Sequence, residues 1–383
     1  MRVFLSCLVC RIVTFVLHKL GRGATSMPGK VALKVKRNVL KDLSENTKVI
    51  VVTGTNGKTT SCRILEEGLK KAGKSYFINK SGANLITGVT ASFIMNSTIT
   101  GKCKKDYAII ECDENAFKEV SRYIHCDVIL VTNVFRDQLD RYGEVTHTLN
   151  AIKESVKNLP NAIVCLDADC SLTYSMSKEI PNKIITFGVN VPFDKNAKAP
   201  EISDAKYCIF CKHEYDYTYY TYGHLGGFVC PNCGYKRPQP DFAVESVEEM
   251  KNDHSVVVAN LNGDRNIIRV NIGGAYNIYN AIGCAAALTA FGIDEKTVID
   301  AIEHFNGAFG RMEHFKAGDN TVNLILVKNP AGFSQTMNFL KNIDDDFTLI
   351  LSLNDNAADG RDISWIWDVD FAGIFEKANV KEI

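Results

Sequence analysis

The feature that most constrains the fold is a β-branched run that leads directly into a glycine-rich loop and then into a helical pattern. Residues 48–53 read KVIVVT, as expected of a strand that is buried on both faces of a parallel sheet. The loop GTNGKTT occupies residues 54–60, and the helical pattern SCRILEEGLKKAG ends at Gly73. This order predicts a phosphate-binding loop at the carboxyl end of a sheet strand.

The chemistry of this loop favours ATP with Mg²⁺. Successive backbone N–H groups and the positive end of a helix would cradle phosphates. The Lys58 ammonium would reach the terminal phosphates, and the Thr59 hydroxyl would lie on Mg²⁺. Standard P-loops have their first glycine where this chain has Val52, so the loop is a shorter variant. The predicted nucleotide-binding residues are Gly54, Thr55, Asn56, Gly57, Lys58, Thr59 and Thr60.

Further strand patterns alternate with helical ones and predict a doubly wound α/β domain with a parallel sheet. Downstream, SVVVANL and NIIRVNI resemble a β pair, and an Ala-rich helix is predicted over residues 277–292. Strand patterns at NLILVKNP and FTLILSLND, with a helical pattern between them, predict a new α/β unit beyond residue 315. The remaining strand predictions are residues 107–111, 127–134, 161–166 and 183–188.

Four cysteines lie in a segment rich in Cys, Tyr and Gly, residues 197–240, which is interpreted as an insertion. Their spacing, Cys208-x₂-Cys211-x₁₈-Cys230-x₂-Cys233, is typical of a zinc site, and four thiolates leave no open position for catalysis. The alternative is a set of reduced surface thiols. Because few basic residues surround the cysteines, a structural role is favoured over nucleic-acid binding.

Charge and cysteine usage limit the class of protein. Forty-four basic residues balance forty-four acidic ones, so no overall field attracts nucleic acid. Thirteen cysteines without a recognisable secretory signal indicate a reducing cytoplasm. Residues 3–17 are apolar but contain Arg11, and the run is too short to span a bilayer. They predict an amphipathic N-terminal helix, with interfacial membrane contact as an alternative.

Several segments in order resemble the Mur ligase family, which includes the cell-wall amino-acid ligases and folylpolyglutamate synthase. The variant loop is the first of them, and Glu111 ends the strand pattern YAIIE. The others are TNVFRDQLDRYGE (132–144), LDADCS (166–171), GGAYNIYNAIGCAAA (273–287) and Gly310-Arg311-Met312-Glu313.

This resemblance implies an ATP-dependent carbon–nitrogen ligase, which phosphorylates a carboxylate so that an amine can attack the acyl phosphate. It further implies that Glu111 binds Mg²⁺ with Thr59, that Asn277 and Asn280 border the nucleotide, and that Arg311 contacts its phosphates. Lys58 and Glu111 are thus candidate catalytic residues. Gln138 stands where many members have a histidine Mg²⁺ ligand. Lys153 lies near a position that is carbamylated in some relatives; an ordinary solvated lysine is the alternative.

Within this family, the Cys₄ insertion, GRGATSMPGKVALKV (21–35) and the segment from Asn354 to Phe371 resemble the synthetase subunits of lipid II isoglutaminyl synthase. That resemblance implies amidation of the α-carboxyl of D-Glu in the lipid II stem peptide. Ammonia would come from a GatD-like glutaminase partner, at the inner face of the membrane. Asp355 would complete the partner's Cys–His pair, with plain loop solvation as the alternative. Trp365 and Trp367 are expected in the core, with a position that faces the partner as the alternative.

Two other functions stay open at this point. An amino-acid-adding ligase of the Mur or folylpolyglutamate synthase kind would need no glutaminase, but it gives no reason for the Cys₄ insertion. A nucleotide-binding zinc scaffold would bind ATP without turnover.

Three domains are predicted. The lead-in segment is residues 1–47, the central ATP-binding domain is 48–315 with the zinc-ribbon insertion, and the C-terminal ligase domain is 316–383. The C-terminal domain is Rossmann-like and is expected to be incomplete, because the usual family continuation does not follow Ile383.

Overall fold

The structure is a computed structural model, and most of the chain up to residue 327 is described in it. For residues 144, 311–314 and 381–382 it describes the backbone alone. The described residues are 1–23, 25–79, 82–136, 144–194, 203–251, 253–305, 311–327, 332–333, 336–337, 340, 346–353, 366–367, 369, 371 and 380–382.

The first half of the chain forms three N-terminal helices and then alternates strands with helices. These elements are α1 Arg2–Lys19, α2 Met27–Val35, α3 Val39–Ser44, β1 Lys48–Thr53, α4 Lys58–Lys71, β2 Tyr76–Ile78, α5 Ile86–Met95, β3 Tyr107–Glu111, α6 Glu114–Val120, β4 Val128–Val131, α7 Glu144–Lys157, β5 Ile163–Asp167, α8 Ser171–Ser175 with a 3₁₀ turn at Met176–Lys178, and β6 Ile184–Val189.

The second half adds mostly strands. They are β7 Asp216–Tyr220, β8 Gly226–Val229, β9 Phe242–Met250, β10 Ser255–Leu261, β11 Asp264–Val270, α9 Ala275–Ala290, α10 Glu295–His304, β12 Arg311–Ala317, β13 Asn320–Ile325, β14 Phe347–Thr348 and β15 Val380–Glu382.

A nine-stranded sheet organises the central domain, in the order β11-β10-β9-β6-β5-β4-β1-β3-β2. Pairing is parallel from β2 to β9, and β10 and β11 continue the edge in antiparallel fashion. β1 lies between β3 and β4, and all its residues except Lys48 are buried. The loop after β1 therefore emerges at the carboxyl edge of a central strand, where ligands of open α/β sheets bind.

The α/β class predicted from the sequence is confirmed. The predicted strands at 48–53 and 107–111 match β1 and β3 residue for residue, and the predicted β pair matches β10 and β11. The elements predicted for the C-terminal unit agree less well with the structure. Within the described part of FTLILSLND, residues 347–353, only Phe347–Thr348 is a strand, and the predicted helix between the two strand patterns lies mostly outside the described residues. The core position expected for Trp367 is wrong, because 86% of this residue is exposed.

Separate apolar clusters support the central sheet, the insertion and the C-terminal unit. The largest surrounds the nine strands, and a second, aromatic cluster including Tyr215, Phe228 and Tyr235 lies in the insertion. A third includes Phe333, Met337, Leu340 and Val369. The three-domain division stays a prediction. The β12–β13 hairpin runs across the boundary predicted near residue 315.

The N-terminal helix α1 is present, but its polarity is the reverse of that expected for a surface helix. Its buried residues are small or polar: Ser6, Cys7, Cys10 and Thr14. Its exposed residues include Phe4, Leu5, Ile12 and Phe15. Within the described residues, no helix combines the length and apolarity needed to cross a membrane.

Candidate nucleotide site and cysteine cluster

The predicted nucleotide loop contains two glycines at positions where a side chain would not fit. Gly54 has φ +121° and Gly57 has φ +85°, a region that favours glycine. A Cβ on Gly54 would lie 2.4 Å from the Thr132 hydroxyl oxygen, and one on Gly57 would lie 2.1 Å from Oδ1 of Asn280. Both glycines are therefore required by contact as well as by backbone conformation.

A second loop, residues 132–135, holds the nucleotide loop through hydrogen bonds. The backbone N–H of Thr55 donates to the Asn133 carbonyl (2.9 Å), and that of Asn56 donates to Oδ1 of Asn133 (3.0 Å). The Thr132 hydroxyl donates to the Asn56 carbonyl (2.7 Å). Thr55 Oγ1 also bonds the backbone of Phe135, donating to its carbonyl (3.1 Å) and accepting from its N–H (3.0 Å). The loop is thus shaped before any phosphate arrives.

Lys58, the first residue of α4, is held by protein oxygens. Its Nζ donates to the Thr55 carbonyl (3.2 Å) and forms an ion pair with Oε1 of Glu114 (2.8 Å). Each side chain of this pair is only 12% exposed. Sequence analysis missed Glu114. Its spacing of three residues from Glu111, at the start of a helix, is the only signal that pointed to it.

Thr59 and Glu111 lie together, as their predicted shared role requires. The Thr59 hydroxyl donates to Oε1 of Glu111 at 3.2 Å. Asn79 fixes the backbone of Glu111 by accepting from its N–H (2.8 Å) and donating to its carbonyl (2.9 Å). A hydroxyl beside a carboxylate is a pair of hard oxygen donors, which suits Mg²⁺. Asn79, also missed from sequence, is a buried positioning residue for this pair.

Helix α9 brings Asn277 and Asn280 to the same place. Asn280 touches Gly57 and donates to Oδ1 of Asn277 (3.0 Å), which in turn donates to the Gly273 carbonyl. Both asparagines are buried. The structure therefore joins the loop, Glu111 and this pair of asparagines at one edge of the sheet.

The remaining predicted residues lie elsewhere or cannot be placed. Thr60 is buried in the first turn of α4. Lys153 forms a two-pronged ion pair with Glu179, at 3.0 and 2.9 Å. Asp355, Gln138 and the side chain of Arg311 lie outside the described residues.

The four cysteines of the insertion come together as predicted. The sulfurs of Cys208, Cys211, Cys230 and Cys233 all lie within 4.8 Å of one another. The two Cys-x₂-Cys turns have the same hydrogen bonding: Lys212 N–H donates to the Cys208 carbonyl, and Gly234 N–H to that of Cys230. Lys212 and Gly234 both have positive φ. Two equivalent turns thus bring four thiols together, an arrangement that is compatible with a closed tetrahedral metal site.

A buried charge cluster ties the end of the insertion to the central domain. Arg237 pairs through Nε with Oδ1 of Asp169 (2.5 Å) and donates to the Val189 carbonyl (3.1 Å). Oδ2 of Asp169 accepts from the Val189 N–H (2.8 Å) and from the hydroxyl of Tyr279 on α9 (2.5 Å). Burial raises the pKa of Asp169, although Arg237 and Tyr279 oppose that shift. From the sequence, only the segment LDADCS around Asp169 resembles a family motif, and Arg237 carries no such signal.

Comparison with protein families gives two matches. Residues 52–233 match the Mur ligase middle domain, and residues 326–383 match the MurT ligase C-terminal family. The first match includes the nucleotide loop and all four cysteines.

Known proteins with similar sequences extend the match along the chain. The chain is 37% identical over 374 residues to the lipid II isoglutaminyl synthase (glutamine-hydrolyzing) subunit MurT of Streptococcus pneumoniae, covering 98% of this chain and 82% of that protein. It is 33% identical over 352 residues to the subunit of the same name in Staphylococcus aureus, covering 92% and 77%.

Solved structures share the fold. The pseudomurein peptide ligase type C of Methanothermus fervidus has a TM-score of 0.61 at 25% identity, covering 76% of this chain and 56% of that one. MurF of Acinetobacter baumannii has a TM-score of 0.62 at 16% identity, covering 82% and 58%. The chain thus spans less than two thirds of the length of these two structures.

Fold, nucleotide loop and family match together define a Mur ligase, a class of ATP-dependent enzymes that form carbon–nitrogen bonds. Within that class the chain belongs to the MurT family, because the match to MurT subunits runs along nearly its whole length.

The Lys58–Glu114 pair gives a test of the loop's electrostatics. We predict that Glu114→Gln tightens ADP binding about fivefold or more, because it removes a competing negative charge close to the phosphates. Isothermal calorimetry measures the dissociation constant. Glu119→Gln, on the same helix at an exposed position, is the matched control and leaves binding unchanged. Weaker binding by Glu114→Gln would show instead that this carboxylate supports the bound nucleotide.

Proposed function

We propose that this protein uses ATP to convert the α-carboxyl of D-Glu in the lipid II stem peptide into an amide, giving D-isoglutamine. The observation that carries the proposal is the 37% identity over 98% of the chain to the S. pneumoniae MurT subunit, whose name states that activity. The geometry of the nucleotide loop supports the ATP-dependent half of the reaction. The amine donor is ammonia, supplied by a GatD-like glutaminase partner.

The nucleotide half relies on residues that already lie together. Residues 57–60, at the start of α4, would present backbone N–H groups to phosphates, and Lys58 would exchange its Glu114 partner for a phosphate oxygen. Thr59 and Glu111 would hold Mg²⁺, with Asn79 keeping the backbone of the glutamate in place. When bound, Mg²⁺ neutralises phosphate charge and orients the transferred group. Asn277, Asn280 and Arg311 border the nucleotide.

Transfer of the terminal phosphoryl group to the substrate carboxylate creates an acyl phosphate. Ammonia then attacks the carbonyl carbon, inorganic phosphate leaves, and the proton released from nitrogen passes to solvent. The protein's contribution is charge neutralisation and positioning, since neither step requires a covalent bond to the enzyme.

The Cys–His contact found within the described residues supports the assignment of glutamine hydrolysis to a separate subunit. Cys170 Sγ lies 3.3 Å from Nε2 of His224, and both residues are buried. Burial raises the pKa of Cys170 to about 11 and lowers that of His224 to about 4. At neutral pH the pair is therefore a thiol and a neutral imidazole, not a thiolate and an imidazolium. This pair is therefore unsuited to releasing ammonia from glutamine, which supports supply by a separate glutaminase, and Asp355 would complete that partner's Cys–His pair.

The four thiols would hold a structural Zn²⁺ ion. The protein functions in the cytoplasm, where its cysteines stay reduced. Four sulfurs in two matched turns fit zinc better than a hard cation. A bound zinc ion would cross-link the two Cys-x₂-Cys turns of the insertion. Arg237 and its partners then fix the insertion to the central domain.

The zinc assignment predicts about one equivalent of zinc per chain. Cys211→Ser combined with Cys233→Ser should reduce zinc content at least about tenfold, because only two sulfur ligands remain. Metal analysis of the purified protein measures the content. Cys103→Ser, a partly buried cysteine outside the cluster, is the control and retains zinc. Full zinc content in the double variant would refute the assignment.

The activity is tested with ATP and lipid II, adding in turn ammonia, glutamine with the glutaminase partner, and free amino acids. We predict amidation with ammonia, and with glutamine only when the partner is present. Mass spectrometry of the stem peptide detects the change from carboxyl to amide. Product formed only with an amino acid would assign the chain to the amino-acid-adding ligases. Nucleotide binding without turnover under every condition would leave the scaffold interpretation.

The role of Asp355 predicts a split between the two nitrogen sources. Asp355→Asn should reduce glutamine-dependent amidation at least about a hundredfold, because the partner's histidine loses its orienting carboxylate. Ammonia-dependent amidation should be unchanged. Asp319→Asn, at the exposed turn of the β12–β13 hairpin, is the control and affects neither. Equal loss with both nitrogen sources would place Asp355 in the synthetase reaction instead.

A further inference from the structure

Helix α1 presents an apolar surface to the outside of the molecule. Seen along the helix, the exposed residues Leu5, Ile12 and Val16 lie on one side, flanked by Phe4 and Phe15. Ile12 is 53% exposed and Phe15 is 61% exposed. Apart from Lys19 at its end, this surface carries no charged side chain. We name it the α1 outer face; its residues are Phe4, Leu5, Leu8, Ile12, Phe15, Val16 and Lys19.

The inner side of α1 explains why the large side chains are on the outside. Ser6, Cys7, Cys10 and Thr14 allow α1 to lie close against α2 and α5, and the Ser6 hydroxyl donates to the Ala32 carbonyl of α2 (3.1 Å). Arg11 is also turned inward, where its guanidinium donates to the carbonyls of Ile94 (3.0 Å) and Ser97. This packing removes the one mid-helix charge from the outer face. The exposed apolar surface is therefore a consequence of specific contacts.

Charge is distributed to match an anionic surface. Residues 1–41 contain nine basic residues and no acidic one, which leaves 35 basic and 44 acidic residues in the rest of the chain. An otherwise acidic protein thus carries a positive N-terminal segment. Five of these basic residues are exposed on α1, on α2 or between them: Arg2, Lys19, Arg22, Lys30 and Lys34.

We propose that the α1 outer face binds a bilayer that contains anionic lipids, with the helix lying in the plane of the interface. Its apolar side chains would enter the boundary between headgroups and acyl chains, and the basic residues would meet lipid phosphates. Lys19 already extends over the ring of Phe15, 5.0 Å from its centroid, as a lysine does when its stem lies on apolar surface. A bilayer is favoured over a protein partner because the segment that carries the face, residues 1–41, has nine basic residues and no acidic one.

This inference deepens the proposed function and rests on it only for its purpose, which is to bring the enzyme to a lipid-linked substrate. Binding to the bilayer itself depends on α1 and not on the nucleotide site. It can therefore be measured without turnover.

The experiment measures flotation of the full chain with vesicles of phosphatidylcholine alone and of phosphatidylcholine with phosphatidylglycerol at about 3:1. We expect binding to the anionic vesicles that weakens with added salt. Ile12→Glu with Phe15→Glu should weaken binding at least about tenfold, because two charges would enter the apolar region. Lys19→Gln should weaken it about fivefold. Ile267→Glu, at a 70% exposed strand position, is the control and should bind like the wild type.

Two further measurements keep the outcome unambiguous. Each variant is checked for ADP binding and for amidation of lipid II in detergent, both of which should match the wild type if the fold is intact. Wild-type protein that does not float with anionic vesicles would overturn the proposal, as would equal binding by the α1 variants. Loss of self-association or of glutaminase binding in those variants, with vesicle binding unchanged, would make the face a protein interface. Vesicle binding without amidation would refute the proposed function alone.

Discussion

The hydrogen bonds between the nucleotide loop and residues 132–135 set the geometry on which the rest of the site depends. A loop that must expose several backbone N–H groups to a ligand cannot satisfy them internally, so its shape has to be imposed from outside. Here Thr132 and Asn133 impose it. Asn133 accepts hydrogen bonds from the N–H groups of Thr55 and Asn56, and Thr132 donates one to the carbonyl of Asn56. The contact is close enough that Gly54 has no room for a side chain. These contacts therefore hold the backbone of residues 54–56 in place through the protein alone.

The buried pair of Asp169 and Arg237 has a different purpose. Moving two charges out of water costs more than their attraction returns unless their hydrogen bonds are satisfied. Asp169 is fully buried and accepts hydrogen bonds from Arg237, Tyr279 and the Val189 backbone. Both oxygens of its carboxylate therefore have hydrogen-bond donors. Such a pair contributes less to net stability than to a unique arrangement. In this protein it joins the end of the insertion to Val189 of β6 and to Tyr279 of α9.

How far the sequence predicts this structure depends on how local each signal is. β1 and β3 were predicted residue for residue because both are continuous apolar runs. The cysteine cluster follows from spacing alone. Asn79 and Glu114 could not be found this way, since a single polar residue acquires its role only from what the fold places beside it. The burial of α1 was also unpredictable. The helix is apolar nearly all round, so packing against α2, and not periodicity, decides which side is buried.

Helix α9 links the parts of the central domain that the sequence keeps apart. Asn280 contacts the loop at Gly57, and Leu288 packs where Gly68 of α4 has no side chain. Tyr279 donates to Asp169 and bonds the Thr221 hydroxyl of the insertion (2.8 Å). The insertion and the nucleotide loop thus contact the same helix one residue apart. Because α9 is buried along most of its length, a shift at Tyr279 would be passed to Asn280 as movement of a rigid element. The insertion and the nucleotide loop are therefore connected through neighbouring residues of one buried helix.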